Sequence, residues 1–244
     1  MSKETLKKKQ HYSYEDLVEL VDILCAPDGC PWDNSQTHQS IRNNFIEETY
    51  EAVEGIDKND PAILIEELGD VLLQVVMHCK IAEKAGTFTK ADVLTNLCKK
   101  LIFRHPHLFS DDYTADSPDQ ALANWEALKK KEKGYGTPQK VVSSVSPALP
   151  ALMRAQKLNA KAYKNGIIAE FASAADVSMK AKELEQAALS GDQELQNKAL
   201  GELLFTTCSF AADADINAEQ SLFGKNVEFC ENICANCSQE RENI

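Results

Sequence analysis

Two short acidic runs carry the most chemical information in this 244-residue chain. Glu47-Glu48-Thr49-Tyr50-Glu51 and Glu66-Glu67-Leu68-Gly69-Asp70 each set a pair of carboxylates three residues apart, Glu48 with Glu51 and Glu67 with Asp70. In a helix that spacing puts both members of a pair on one face. Asn59-Asp60-Pro61 between the runs reads as a short turn, so the two helices pack antiparallel and can oppose the pairs. Four carboxylates at one spot raise one another's pKa and are unfavourable unless cations neutralise them. Oxygen-only ligands suit Mg²⁺ or Mn²⁺ rather than zinc, which favours imidazole and thiolate. Gly69, beside Asp70, is read as permitting close backbone approach. Two other readings stand at this point. Both pairs can be solvated faces of acidic helices, or they can form a ferritin-type di-iron site. The di-iron site calls for Glu-x-x-His on two helices, and neither pair has the histidine.

The elements that position these residues follow from periodicity and punctuation. Ser13 precedes Leu17, Leu20, Val21 and Leu24, the i, i+3, i+4, i+7 spacing of a buried helix face. Pro27, Gly29 and Pro31 make Cys25–Thr37 a loop. A second helix is expected over about Ser40–Lys58 with Ile41, Phe45, Ala52, Val53 and Ile56 inward. Asp60-Pro61 gives an N-cap and a first-turn proline for a long helix ending at Gly86. Thr89 opens a fourth helix that stops near Arg104, because Pro106 disfavours helix in the residue before it. Ser117-Pro118-Asp119-Gln120 is a capping box for a fifth, reaching about Lys133. Further helices are expected over Ala151–Lys164, about Ala174–Ser190, Gln193–Ala212 and Ala218–Cys237. No segment shows strand alternation, and the fold class is all-α.

Composition narrows the function. Asp and Glu outnumber Lys and Arg 38 to 26, a formal charge of -12, which argues against a polyphosphate-binding surface and so against DNA or RNA as partner. The apolar run Val71–Cys79 is far short of the ~20 residues that span a bilayer, so no membrane partner is expected. Lys3, Lys7, Lys8 and Lys9 precede no apolar segment; Met1–Tyr12 reads as a frayed basic tail rather than a signal peptide. Eight cysteines without such a signal point to reduced thiols and a cytoplasmic location. Cys230, Cys234 and Cys237 recur at i, i+4, i+7 and read as one apolar helix face rather than an iron–sulfur motif. Cys25 and Cys30 are too isolated for a zinc site. His105 and His107, with Asp111 and Asp112 nearby, read as a helix terminator and an ordered loop rather than a metallophosphohydrolase centre.

Leu68-Gly69-Asp70-Val71-Leu72 is echoed by Leu200-Gly201-Glu202-Leu203-Leu204, which suggests two related halves. Gly134–Pro150, rich in Gly, Pro, Val and Ser, lies between the copies. The expected domains are 1–134, a linker at 135–150, and 151–244.

Several ordered motifs over about Gly29–Glu132 resemble the MazG-type nucleoside triphosphate pyrophosphohydrolases. They are Gly29-Cys30-Pro31-Trp32-Asp33 with Gln36-Thr37, the two acidic runs, Arg104-His105-Pro106-His107 and Asn124-Trp125-Glu126. Pro150–Lys157 resembles the start of that family's second repeat. The resemblance implies tandem all-α repeats that form four-helix-type bundles through homodimerisation. It also implies Mg²⁺-dependent cleavage of nucleoside triphosphates to monophosphate and pyrophosphate, with Mn²⁺ as a possible substitute. Carried over by position, Glu48, Glu51, Glu67 and Asp70 would hold the metal and form the catalytic centre. Lys100 and Arg104 would face the phosphates, and Trp125 and Lys129 would help hold the nucleotide. Glu47 or Glu51 is the candidate acceptor of the attacking water's proton. Taken singly, Lys100 and Arg104 are equally a helix C-terminal charge pair, and Trp125 a packing residue.

The second half departs from the pattern. Glu183 and Gln186 are the nearest match to Glu48 and Glu51, Ala199 and Glu202 to Glu67 and Asp70, and Glu228 and Asn232 to Lys100 and Arg104. Two of four ligands are lost, so catalysis is expected in the N-terminal copy and a degenerate role in 151–244. The competing class is a non-catalytic helical dimer that acts as a binding or regulatory module.

Overall fold

The computed structural model describes residues 3–110, 113–134 and 137–242, with side chains up to 233. Asp111, Asp112 and the side chains of Cys234 and Cys237 therefore lie outside the described residues. Every regular element among them is a helix. In chain order these are α1 (Lys3–Lys7), α2 (Tyr14–Leu24), α3 (Pro31–Asn34), α4 (Arg42–Asp57), α5 (Pro61–Ala85), α6 (Lys90–Arg104), α7 (Pro106–Phe109), α8 (Pro118–Lys133), α9 (Pro138–Ser143), α10 (Ala151–Lys164), α11 (Ala174–Ser190), α12 (Gln193–Asp213) and α13 (Ala218–Glu242).

The caps sit where the residue types require. Ser13 and Asp16 form a reciprocal capping box on α2, and Thr89 with Asp92 does the same on α6. Asp60 Oδ1 accepts from the Ala62 N–H at 2.9 Å to start α5, and Gly86 ends it in the left-handed conformation, φ 68°. At α8 the reciprocal bond is displaced by one residue. The Gln120 N–H donates to Ser117 Oγ, but the Gln120 side chain accepts from Asp116 rather than from Ser117.

The chain divides into two compact units, 1–125 and 126–244. In the first, α5 is the central helix and packs on α2, α4 and α6. Val21, Cys25, Ile41, Val76 and Met77 form its buried centre, with Leu17, Val18, Leu73 and Ile81 against them. In the second, α12 packs on α10, α11 and α13, around buried Cys208 and Ala211.

Four short helices went unread in the sequence. α1 is the most instructive, because the basic segment is docked rather than frayed over its described part. Leu6 is buried, the Tyr12 hydroxyl donates to Leu6 O at 3.0 Å, and Lys9 Nζ lies 2.6 Å from the carboxylate of buried Asp16. The stretch expected as a linker holds α9, whose buried Val141 and the following Val145 belong to the packing against α10. The division between the units falls inside α8, ahead of that stretch.

Candidate functional site

The acidic runs fold as expected onto an antiparallel hairpin, α4 and α5 joined at Lys58-Asn59-Asp60. Gly55, not Gly69, is the glycine that lets the helices close. A Cβ on Gly55 would come within 2.9 Å of the Leu64 backbone nitrogen, whereas one on Gly69 would meet open space. The expected role of Gly69 in close approach is therefore wrong, because its α-carbon faces away from the partner helix.

The hairpin brings three of the four expected carboxylates together. One oxygen each from Glu48, Glu67 and Asp70 lie within 4.8 Å of one another, and all three residues are half-buried. Glu51 is outside this trio and exposed, although its charge reaches both Glu48 and Glu67. Burial pushes the Glu48 carboxyl above its ordinary value, and Asp70, Glu51 and Glu47 push it further. Glu67 is raised in the same way, by burial first and then by Glu51, Glu66, Glu48 and Asp70. Its Oε2 is buried with no hydrogen-bond partner. An unsatisfied carboxylate oxygen costs free energy, about 1–3 kcal/mol for a buried polar group in general, so it marks a place for a cation or a proton. Two turns further along α5 on the same face, Gln74 is buried and its Oε1 is likewise unpartnered.

Of the expected phosphate and nucleotide residues, Arg104 and Trp125 are brought into contact within the first unit. Arg104, at the C-terminus of α6, is 6% exposed and its guanidinium sits 5.2 Å from the centre of the Trp125 ring on α8. Lys100 is one turn earlier on α6 and exposed. Lys129 follows Trp125 by one turn on α8, in the second unit. His105 caps α6, its Nδ1 2.7 Å from Leu101 O, and Pro106 opens α7, in line with the terminator reading.

One feature left no trace in the local sequence pattern. His38, in the loop before α4, stacks on His78 of α5 with ring centroids 5.1 Å apart and Nδ1 atoms at 2.8 Å. Phe45 packs against His78, and Phe88 stacks on His38. The His78 imidazole is held below its ordinary pKa, chiefly by burial and then by the charge of His38.

Comparison with known proteins bears on this geometry. Residues 36–109, which contain the carboxylate trio, match the MazG nucleotide pyrophosphohydrolase domain. A Thermotoga maritima protein named nucleoside triphosphate pyrophosphohydrolase/pyrophosphatase MazG is 36% identical over 220 residues, 89% of this chain and 83% of that protein. The chain belongs to the MazG family. The Escherichia coli K12 nucleoside triphosphate pyrophosphohydrolase is 33% identical over 87% of this chain and 82% of its own length. Among solved structures, a MazG-related protein from Thermotoga maritima matches 48% of this chain and 98% of its own, with 26% identity and a TM-score of 0.41.

Proposed function

We propose that this chain hydrolyses nucleoside triphosphates to nucleoside monophosphate and pyrophosphate, with a divalent cation, at the α4–α5 hairpin of its first unit. The observation that carries the reading is the trio Glu48, Glu67 and Asp70, three oxygens within 4.8 Å, including a carboxylate whose buried Oε2 is unsatisfied. Such a donor set fits a hard cation and offers neither imidazole nor thiolate for zinc. Glu48, Glu67 and Asp70 would hold Mg²⁺ or Mn²⁺, with Glu51 close enough to add a ligand. A metal bound there would shield the phosphate oxygens, acidify the attacking water and stabilise the leaving pyrophosphate.

The remaining residues act directly on substrate. Lys100 and Arg104 supply positive charge for the phosphates. Trp125 offers an indole face for a base, with Arg104 fixing the ring from one side. Lys129 adds an ammonium, and Glu47 or Glu51 accepts the water's proton.

The working form is a homodimer. Ile65, Leu68 and Leu72 make one exposed apolar stripe on α5, and Leu94, Leu97 and Leu101 make another on α6. Stripes of that kind are covered in bundles of this type. No helix among the described residues is long and apolar enough to cross a membrane. Free thiols such as Cys25, Cys79 and Cys208 suit a reducing cytoplasm.

A pyrophosphate-release assay with Mg²⁺ and a panel of triphosphates tests the proposal. Pyrophosphate as the first product, lost in excess chelator, supports it. Orthophosphate as first product overturns it, and no turnover with any triphosphate leaves the non-catalytic helical dimer.

A further inference from the structure

The second unit contains a hairpin, α11–α12, that can be registered on α4–α5 residue by residue at the turn. Asn59 and Gly191 both take the left-handed conformation, φ 50° and 71°. Their N–H groups donate three residues back, to Ile56 O at 3.0 Å and to Ala188 O at 3.4 Å. The next residue in each, Asp60 or Asp192, caps the following helix by accepting from the N–H groups two and three positions on. Uninterrupted helix on both sides carries this register to the acids. Glu48 is matched by Lys180, Glu51 by Glu183, Glu66 by Lys198, Glu67 by Ala199 and Asp70 by Glu202. The pairing expected from sequence, Glu183 with Glu48 and Gln186 with Glu51, is therefore out by nearly one helical turn on the first helix. Both alignments place a glutamate on a glutamate, and only the turn geometry separates them.

The corrected register changes the chemistry. Where the first hairpin has five carboxylates, the second has two carboxylates, two ammoniums and an alanine. Lys180, Glu183, Lys198, Ala199 and Glu202 line one groove of about 550 Å³. Lys180 Nζ lies 2.9 Å from Glu183 Oε2, with its side chain 24% exposed. The hydrogen bond to Glu183 raises the Lys180 pKa, against burial, and the charges of Glu183 and Glu202 raise it further. A partly exposed pair of this kind adds little to stability. Its consequence is electrostatic: the acids are already compensated, and little attraction is left for an arriving dication.

We propose that Lys180 is a built-in counter-ion, its ammonium taking the place that a divalent cation takes in the first hairpin. The second hairpin is complete without metal, and exchanging Lys180 and Ala199 for glutamate converts it into a divalent-cation site. The inference rests on the reading of the first hairpin as a metal site, and its test keeps the two apart.

The measurement is Mn²⁺ binding to the full-length chain by electron paramagnetic resonance titration, with helical circular dichroism as the check on folding. The background is Glu67→Ala/Asp70→Ala, expected to lose the Mn²⁺ bound by the unsubstituted protein. Adding Lys180→Glu and Ala199→Glu to that background should restore Mn²⁺ binding at least roughly tenfold tighter than the background. Lys180→Met, which removes only the ammonium, should give a smaller gain in the same direction. If the background still binds Mn²⁺ and Glu183→Ala abolishes that binding, the second hairpin is already a metal site and the proposal is wrong. It is equally wrong if the folded Lys180→Met protein and the rebuilt variant both bind no better than the background. If the unsubstituted protein binds no Mn²⁺ but the rebuilt variant does, the first-hairpin reading fails and the counter-ion stands.

Discussion

Glu48 on α4 and Glu67 on α5 approach across the hairpin until their carboxylate oxygens, with one from Asp70, lie within 4.8 Å. Both carboxyls are held above their ordinary value, first by burial and then by the surrounding acids. The hairpin carries this repulsion at neutral pH only while nothing positive sits between the acids. The folded state therefore has something to gain from a cation, and stability should report it.

Mg²⁺ should raise the melting temperature of the protein and excess chelator should lower it. A ligand that binds only the folded state at about a hundred times its Kd stabilises by about 2.7 kcal/mol. The effect should vanish in Glu67→Gln, whose amide carries no charge. Differential scanning calorimetry of the two proteins with and without Mg²⁺ checks this, and an equal Mg²⁺ effect in both would count against the trio as the binding place.

Turnover should discriminate between the hairpins. Glu67→Ala or Asp70→Ala should reduce kcat by at least roughly 10²-fold, the scale of losing a key electrostatic group. Glu183→Ala and Glu202→Ala should change it little. All four should keep their helical circular dichroism, since these side chains are not packed in a core. A Glu202→Ala protein without turnover beside an active Asp70→Ala protein would assign catalysis to the other unit.

Much of this was legible beforehand because it is written locally. Ser13, Asp60-Pro61, Gly86 and Thr89 each mark a helix end through their own backbone chemistry, and the structure puts the ends there. The two acidic runs are also local, and their antiparallel pairing follows from a turn only a few residues long. What stayed hidden depends on partners distant in sequence. Nothing near Gly55 says that Leu64 of the next helix presses on it, and nothing near His38 announces His78 forty residues later. The docking of α1 depends on Asp16 being buried, which the Lys-rich segment cannot reveal by itself.

The histidine pair gives an acid-side dependence. His78 has a folded pKa below its ordinary 6.5, so the folded state binds fewer protons than the unfolded one in the interval between the two values. The stability it contributes is present above about pH 6.5 and is lost as pH falls towards the folded value. His78→Leu should therefore flatten the decline in melting temperature between pH 7.5 and 5 relative to the unsubstituted protein. Parallel curves for the two proteins would show that the pair does not titrate in that range.

The apolar stripes predict association. Light scattering should give at least a dimer, and Leu68→Lys with Leu97→Asp should shift the mass towards the monomer, because charges in a buried seam are costly. A monomer mass for the unsubstituted chain at all concentrations would remove the dimer.

Arg104 over Trp125 predicts a binding defect. Trp125→Ala removes both the indole face and the support beneath the guanidinium, so KM for the triphosphate should rise by roughly 10-fold, about 1.4 kcal/mol. Trp125→Phe, which keeps an aromatic face, should recover part of it. Steady-state kinetics of the three proteins decides, and an unchanged KM in Trp125→Ala would make the indole a packing residue only.

Gly55 has a counterpart in the same register at the second hairpin, and there the residue is Ala187. A methyl at Gly55 would collide with the Leu64 backbone, so a hairpin carrying it must open slightly. Oxygen cages are sensitive to such small openings: Mg²⁺ demands contacts of about 2.0–2.1 Å, whereas Ca²⁺ accepts about 2.3–2.6 Å. On the proposed reading of the trio as a metal site, the absence of one methyl group between α4 and α5 would act as a setting of ionic radius. Gly55→Ala should then shift the preference of the hairpin towards a larger cation without touching a single ligand, which Mg²⁺ and Ca²⁺ titrations of the two proteins check.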